Sequence, residues 1–157
     1  MENYLEILKD SLVKKKEVLE EIIKIDELQT KYFQEAVFDD EKTRKSFEEK
    51  GQYIEKLELL DSGFQTLFDK VKEQLEDNKD KYKEQIKEMQ VLIKEVTDLS
   101  MTIEAQEQRN KELAGKRFAS MRKELSNAKR STSLAKKYYS TMNNILNVDP
   151  QFMDSKR

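Results

Sequence analysis

The chain contains no cysteine and no histidine, and it has no tryptophan, a single proline and only three glycines. Without cysteine it has no disulfides, no thiolate metal sites and no thiol nucleophiles. Without histidine, the usual zinc sites, histidine-dependent triads and the Glu-x-x-His pairs of di-iron bundles are excluded. Its isolated glycines form no phosphate loop or dinucleotide fingerprint. We therefore expect no enzymatic activity, no cofactor and no metal, and we interpret the many carboxylates as solvated helix faces.

Charge and apolar content together indicate long, thin helices. Of the 157 residues, 39% are charged and 36% are hydrophobic, against about 25% and about 45–50% in an average globular domain. Such a chain can coat narrow helical seams but cannot fill a wide core. The predicted fold is all-α, an elongated antiparallel three-helix bundle or coiled coil with an extended C-terminal helix and a short tail.

Apolar residues at three- and four-residue spacing predict the first two helices. Helix 1, over residues 3–36, has the stripe Leu5, Leu8, Leu12, Leu19 and Ile22, widened by Val18, Ile25, Leu28 and Tyr32. Helix 2, over 41–75, has the stripe Phe47, Ile54, Leu57, Phe64, Phe68, Val71 and Leu75, which keeps its register through Gly51 and Gly63. Asp39 and Asp40 favour a reversal with an N-cap before helix 2. A second, weaker reversal is predicted over residues 76–80.

The third stripe is the longest and predicts a helix over residues 80–146, within a single domain of residues 1–146. Its members are Tyr82, Ile86, Met89, Ile93, Val96, Ile103, Leu113, Met121 and Leu125. Gln106 and Asn110 fall on its apolar side, where they either set the register or hydrogen-bond within the bundle. An amphipathic stretch from Leu134 to Leu146 follows, typical of a detachable extension. Pro150 ends the helical pattern, so residues 147–157 are predicted to be a flexible tail.

Charge is distributed unevenly around a net value of −2. Residues 1–108 carry 18 basic and 28 acidic side chains, whereas residues 109–137 carry ten basic and two acidic ones. A basic segment of this kind can bind a nucleic-acid backbone. Packing of a basic helix against acidic ones is favoured here, because the whole domain is acidic.

The first twelve residues lack the basic and apolar regions of a signal peptide. The longest aliphatic runs, such as residues 91–93, are far shorter than the roughly 20 residues needed to cross a bilayer. The sequence therefore predicts a cytoplasmic protein without membrane insertion.

Aromatic and methionine side chains toward the C-terminal end indicate a surface that can accept a partner helix of variable shape. Helix 3 should extend several turns beyond the ends of helices 1 and 2. We therefore expect part of its apolar stripe to have no partner within the chain. For Phe118 and Met121, core packing and partner binding remain about equally favoured. The predicted partner-binding residues are Arg109, Asn110, Leu113, Phe118, Met121, Leu125, Leu134, Tyr138, Tyr139, Met142, Ile145 and Phe152.

The layout resembles the FlgN family of flagellar export chaperones, and the resemblance covers nearly the whole chain. It rests on Phe47-Glu48-Glu49-Lys50 followed by Ile54-x-x-Leu57, and on Gln106-x-x-Arg109-Asn110-Lys111-x-Leu113. It also rests on Tyr138-Tyr139 and on the ending Phe152-Met153-Asp154-Ser155-Lys156.

The resemblance implies a cytoplasmic chaperone that keeps hook-filament junction (hook-associated) subunits unassembled and delivers them to the flagellar type III export gate. The partners would be the amphipathic terminal helix of such a subunit and a component of the gate. It implies that Arg109, Asn110 and Leu113 carry the third-helix motif and that Tyr138-Tyr139 contacts client or gate. The alternative from the stripes is a coiled-coil adaptor that acts by homodimerisation or hetero-oligomerisation. A third hypothesis is that the basic segment binds nucleic acid.

Overall fold

A computed structural model describes residues 1–128, with side chains described for residues 1–124. This part of the chain forms three α-helices and no strands, which confirms the predicted all-α bundle. They are α1 (Glu2–Gln34), α2 (Asp40–Asp77) and α3 (Lys83–Ala128). The bounds of α1 and α2 lie within two residues of the predicted ones. The predicted continuation of helix 3 over residues 129–146, and the predicted tail over 147–157, lie outside the described residues.

Both predicted reversals are present, and each has a hydrogen-bonded cap. Asp39 is the N-cap of α2, and its side chain accepts a hydrogen bond from the backbone N–H of Lys42 at 3.1 Å. At the other end of α2, the Asn78 backbone N–H donates to the carbonyl of Leu75, and its side-chain amide donates to the carbonyl of Gln74. Asn78 thus satisfies two carbonyls that the end of the helix leaves without partners, which stops α2 where the apolar pattern alone would let it continue.

Close backbone approaches in the described region join α1 to α2 and α1 to α3, whereas α2 and α3 hardly approach each other. α1 is therefore the central helix. It runs parallel to α3, with hydrogen-bonded partners 80–84 residues apart in the chain. It runs antiparallel to α2, because Lys15 binds Asp61 at one level and Asp26 binds Lys50 at another.

The apolar core consists of three clusters along this axis. The proximal cluster, at the start of α1, contains Leu5, Leu8, Leu12, Val71, Leu75, Tyr82 and Met89. The middle cluster contains Val18, Leu19, Ile22, Ile54, Leu57, Val96 and Ile103. The distal cluster contains Phe33, Ala114, Phe118 and Met121, with Phe38, Phe47 and Leu113 partly buried against it.

Two residues that the stripes placed in the core are exposed at the surface, and a third only borders the core. Leu28 and Ile93 are exposed by 43% and 46%, and Phe64 is only half-buried, on the edge of the proximal cluster. At Leu28 the pattern fails because Asp26 and Gln29 take the inward positions of that turn.

Candidate functional site at the distal end of the bundle

A layer of buried polar side chains separates the middle cluster from the distal cluster. Each helix contributes an ionisable group: Asp26 from α1, Lys50 from α2 and Glu107 from α3. All three are nearly or completely buried, with Lys50 and Asp26 at 0% exposure. We call this set, with the neutral residues that bind to it, the polar layer.

Lys50 is the centre of the polar layer. Its ammonium donates to Glu107 Oε1 at 2.7 Å, to Gln29 Oε1 at 2.9 Å and to Asp26 Oδ1 at 3.1 Å. These bonds use all three of its donors. Its Nζ atom also lies 5.0 Å from the centroid of the Phe47 ring, within range of a cation–π contact.

Neutral side chains extend the polar layer on either side of this ammonium. The amide of Gln29 donates to Ser46 Oγ at 3.0 Å, and that hydroxyl donates to the carbonyl of Thr43. Asn110 Nδ2 donates to the backbone carbonyl of Asp26 at 2.9 Å, and the Thr30 hydroxyl hydrogen-bonds Asn110 Oδ1. Asn110 therefore ties α3 to the backbone of α1, which is one of the two roles expected for a polar residue on this stripe.

The two carboxylates and one ammonium of the polar layer leave an excess negative charge in an apolar surrounding. Burial raises the pKa of Asp26 to about 7, with Lys50 opposing the shift and Glu107 adding to it. Asp26 Oδ2 has no hydrogen-bond partner among the described residues. Protonation of Asp26 makes the three ionisable groups neutral as a set, because Lys50 then balances Glu107 alone.

Beyond the polar layer, aromatic rings close the end of the bundle. Phe118 is completely buried, and its ring meets Phe33 edge to face at 6.4 Å and Phe38 at 5.3 Å. Phe33 and Phe38 are themselves stacked at 6.3 Å. These contacts hold the loop after α1 against α3.

A shallow pocket of about 200 Å³ lies beside this aromatic group, lined by Ala36, Val37, Phe38, Arg117, Met121 and Glu124. Arg117 donates to the carbonyl of Ala36 at 3.2 Å and lies 5.9 Å from the centroid of Phe38. Val37, which lines this pocket, is exposed by 81%.

The predicted partner-binding residues that the structure describes do not form one exposed surface. Arg109 is exposed, Leu113 is half-buried, and Asn110, Phe118 and Met121 are buried. Within the bundle, Phe118 and Met121 thus belong to the core, because the loop after α1 and the end of α1 cover them. Asn110 is likewise occupied by its bonds to α1. The side chain of Leu125, and Leu134, Tyr138, Tyr139, Met142, Ile145 and Phe152 lie outside the described residues.

The ionisable members of the polar layer were not among the predicted site residues, although the sequence carries a signal for them. Thr43, Ser46 and Lys50 continue the three- and four-residue steps of Ile54 and Leu57 toward the start of α2. Asp26 and Gln29 likewise bridge Ile22 and Phe33. Polar residues that continue an apolar stripe on two helices indicate a buried polar layer.

Comparisons of the chain with models of known protein families, with curated proteins and with solved structures give no match. None of the three helices has a stretch long and apolar enough to cross a lipid bilayer. Among residues 1–128, no group of acidic side chains is arranged to hold a metal ion.

Proposed function

We propose that the protein is a cytoplasmic export chaperone of the FlgN type. It would bind hook-filament junction subunits, prevent their premature assembly and deliver them to the flagellar type III export gate. The resemblance of the chain's layout to the FlgN family supports this proposal, through the motifs around residues 47–57 and 106–113 and through the C-terminal ending.

The observation that carries the proposal is the length of α3. Arg117 reaches the loop after α1, so the turns of α3 up to Ala128 continue beyond the ends of α1 and α2. The sequence then continues into residues 129–157, where Leu134, Tyr138, Met142 and Ile145 recur at three- and four-residue spacing, a pattern that predicts an amphipathic helix. An apolar face carried beyond the bundle is suited to cover the amphipathic helix of another protein.

The basic charge of this region supports the same role. Between Arg109 and Lys123 the helix carries six basic residues and one acidic residue. Arg109, Lys116, Arg122 and Lys123 are exposed. This surface favours an acidic partner and raises the rate of encounter with it.

Truncation after Ser126 tests the proposal, because the three core clusters and the polar layer all lie before that residue. We expect the truncated chain to keep its helical circular dichroism and its unfolding midpoint. We expect it to lose at least tenfold in affinity, by calorimetry, for a C-terminal peptide of a junction subunit or for the soluble domain of the export gate.

Two full-length variants serve as a matched pair for this experiment. Met142→Ala should weaken the complex, whereas Ile7→Ala, at an exposed position on α1, should leave it unchanged. Failure of the full chain to bind either partner would refute the proposed function. Unfolding of the truncated chain would instead place residues 127–157 in the core.

A further inference from the structure

The polar layer contains one ammonium group and two carboxyl groups, and the two carboxyl groups come from different helices. Lys50 of α2 binds Asp26 of α1 at 3.1 Å and Glu107 of α3 at 2.7 Å. Lys50 and Glu107 are also the charged groups that face Asp26 from the two neighbouring helices. Because one positive charge balances only one carboxylate, the protonation of Asp26 decides whether Lys50 needs Glu107 as its counter-ion.

With Asp26 protonated, Glu107 is the only ionised group that Lys50 binds among the described residues. The bond between them joins α2 to α3, two helices whose backbones hardly approach each other. Breaking this bond would leave a buried ammonium without a compensating charge, which is strongly destabilising. A protonated Asp26 therefore makes the Lys50–Glu107 bond necessary, and this bond holds α3 against the other two helices.

With Asp26 ionised, Asp26 and Lys50 form a balanced pair within α1 and α2, which we call together the α1–α2 hairpin. Glu107 is then a surplus buried carboxylate that repels Asp26. Hydration of Glu107 removes this cost, and it requires the distal part of α3 to move away from the α1–α2 hairpin. Asp26 Oδ2, which has no hydrogen-bond partner among the described residues, gains contact with water in the same movement.

The packing of the distal cluster allows it to separate from the rest of the core. Within the described residues it is the smallest of the three clusters, with four buried members against seven in each of the others. The polar layer lies between it and the middle cluster, so the apolar contacts are interrupted at that level. A segment with few buried apolar contacts opens at a lower free energy than the whole molecule.

We propose that the polar layer is a pH-dependent switch: loss of the Asp26 proton releases Glu107 from Lys50, and the distal part of α3 then separates from the α1–α2 hairpin. The helices stay folded, and the proximal and middle clusters stay packed. Opening exposes Phe118 and Met121, for which the sequence leaves core packing and partner binding open. The switch does not depend on the proposed function, because it is a movement within the chain.

Opening should become more frequent as the pH rises through about 7. Burial raises the pKa of Asp26 to about 7 in the closed state, against an ordinary value of 3.8. Once Asp26 is hydrated and faces only Lys50, its pKa should lie at or below the ordinary value. The open state then binds fewer protons than the closed state, so linkage gives a rise of about tenfold in the open fraction from pH 6 to pH 8.

Cysteine accessibility tests the proposal, because the chain has no cysteine of its own. Ala114→Cys places a thiol in the distal cluster, and Val96→Cys places one in the middle cluster on the same helix. Both positions are 7% exposed. The protection of each thiol is its rate of reaction with an aromatic disulfide when unfolded in urea, divided by its rate in the folded chain at the same pH. This ratio cancels the ionisation of the thiol itself.

We expect the thiol at position 114 to be at least tenfold less protected at pH 8 than the thiol at position 96. Its protection should fall about tenfold from pH 6 to pH 8, and it should depend little on low urea concentrations, because local opening exposes little surface. Equal protection at the two positions would show that the distal cluster is exposed only by global unfolding. That result, or a protection at position 114 that does not change with pH, would overturn the proposal.

Two variants that remove the surplus charge test whether the polar layer controls the opening. Asp26→Asn leaves Lys50 with Glu107, and Glu107→Gln leaves it with Asp26, so each layer has one carboxylate for one ammonium. In both backgrounds the protection at position 114 should be the same at pH 6 and pH 8, and the protection at position 96 verifies that each variant is folded. Glu112→Gln, at an exposed position of distal α3, is the control and should keep the tenfold fall. A tenfold fall that persists in Asp26→Asn and Glu107→Gln would assign the opening to another group and refute the switch.

Discussion

Asp26 is the residue whose environment departs most from what its chemistry prefers. A carboxyl group without exposure loses its hydration, and only one of its two oxygens is hydrogen-bonded within the described residues. A buried ion pair is weak evidence for stability, because removing two charges from water costs about as much as their attraction returns. We therefore expect the polar layer to stabilise the bundle no more than an apolar layer of the same volume would.

The raised pKa of Asp26 makes the stability of the bundle depend on pH. Its folded pKa is about 7 against an ordinary value of 3.8, so the native state binds more protons than the unfolded state between these values. The stabilisation is complete below about pH 4 and is lost as the pH rises through about 7, and its size is on the order of 4 kcal/mol. The charged groups that face Asp26 are Lys50 from α2 and Glu107 from α3.

Asp26→Asn should remove this dependence, because the amide has nearly the shape of the protonated carboxyl group and does not ionise. We expect urea unfolding to give similar free energies for variant and parent near pH 4, and an increasingly more stable variant as the pH rises to 8. Glu27→Gln, at the exposed neighbouring position, should unfold like the parent at both pH values. A parent chain that gains stability from pH 5 to pH 8 relative to Asp26→Asn would contradict the assignment.

At the scale of the helix, the apolar stripes predict which segments are helical, but they do not predict depth of burial. The sequence places Phe64 on the stripe of helix 2 and suggests a core role for it, whereas for Phe118 it leaves core packing and partner binding open. In the structure Phe118 is the more deeply buried of the two. It is fully buried in the distal cluster, whereas Phe64 is half-buried and stacks on Phe68 at 5.9 Å. The depth of burial depends on how neighbouring helices pack, which the stripe of a single helix does not encode.

Phe118→Ala should therefore cost about 3–5 kcal/mol of unfolding free energy, as expected for a buried phenylalanine. Phe64→Ala should lower the unfolding free energy by clearly less, about 1–2 kcal/mol, because part of the Phe64 ring is still exposed to water in the folded state. Chemical denaturation of both variants checks the order. A larger loss for Phe64→Ala than for Phe118→Ala would return Phe64 to the core.

The same limit explains what the sequence could and could not predict about the site. Charged residues are almost never fully buried unless they are paired. Lys50 alone is therefore assigned to the surface, even though it sits on the stripe of α2. Its burial follows only when Asp26 and Glu107 are known to meet it from the two other helices. By contrast, the reversal at Asp39 depends on local capping chemistry, and there the prediction is correct.

At the scale of the molecule, the polar layer acts on the alignment of the three helices. Apolar stripes with three- and four-residue steps pack almost equally well when one helix slides by seven residues. In the observed alignment Lys50 meets Asp26, Gln29 and Glu107 at the same level. If one helix slid along the others, these buried charges would lose their partners. We expect the polar layer to select the register at some cost in stability, which is the best-supported role of buried polar groups in helical bundles.

Replacing Asp26, Lys50 and Glu107 together by leucine, methionine and methionine tests this role at pH 7. We expect an unfolding free energy that is unchanged or higher by about 1–4 kcal/mol, as found when buried ion pairs are replaced by well-packed apolar groups.

Because the chain has no cysteine, introduced cysteine pairs report the register without interference. Lys16→Cys with Glu95→Cys marks the native alignment of α1 and α3, whose side chains meet at 2.9 Å, and Lys9→Cys with Glu95→Cys marks a slide of one heptad. With a short bismaleimide, the parent should cross-link only the native pair, whereas the apolar variant should also cross-link the shifted one. A variant that keeps only the native cross-link would show that the apolar clusters alone set the register.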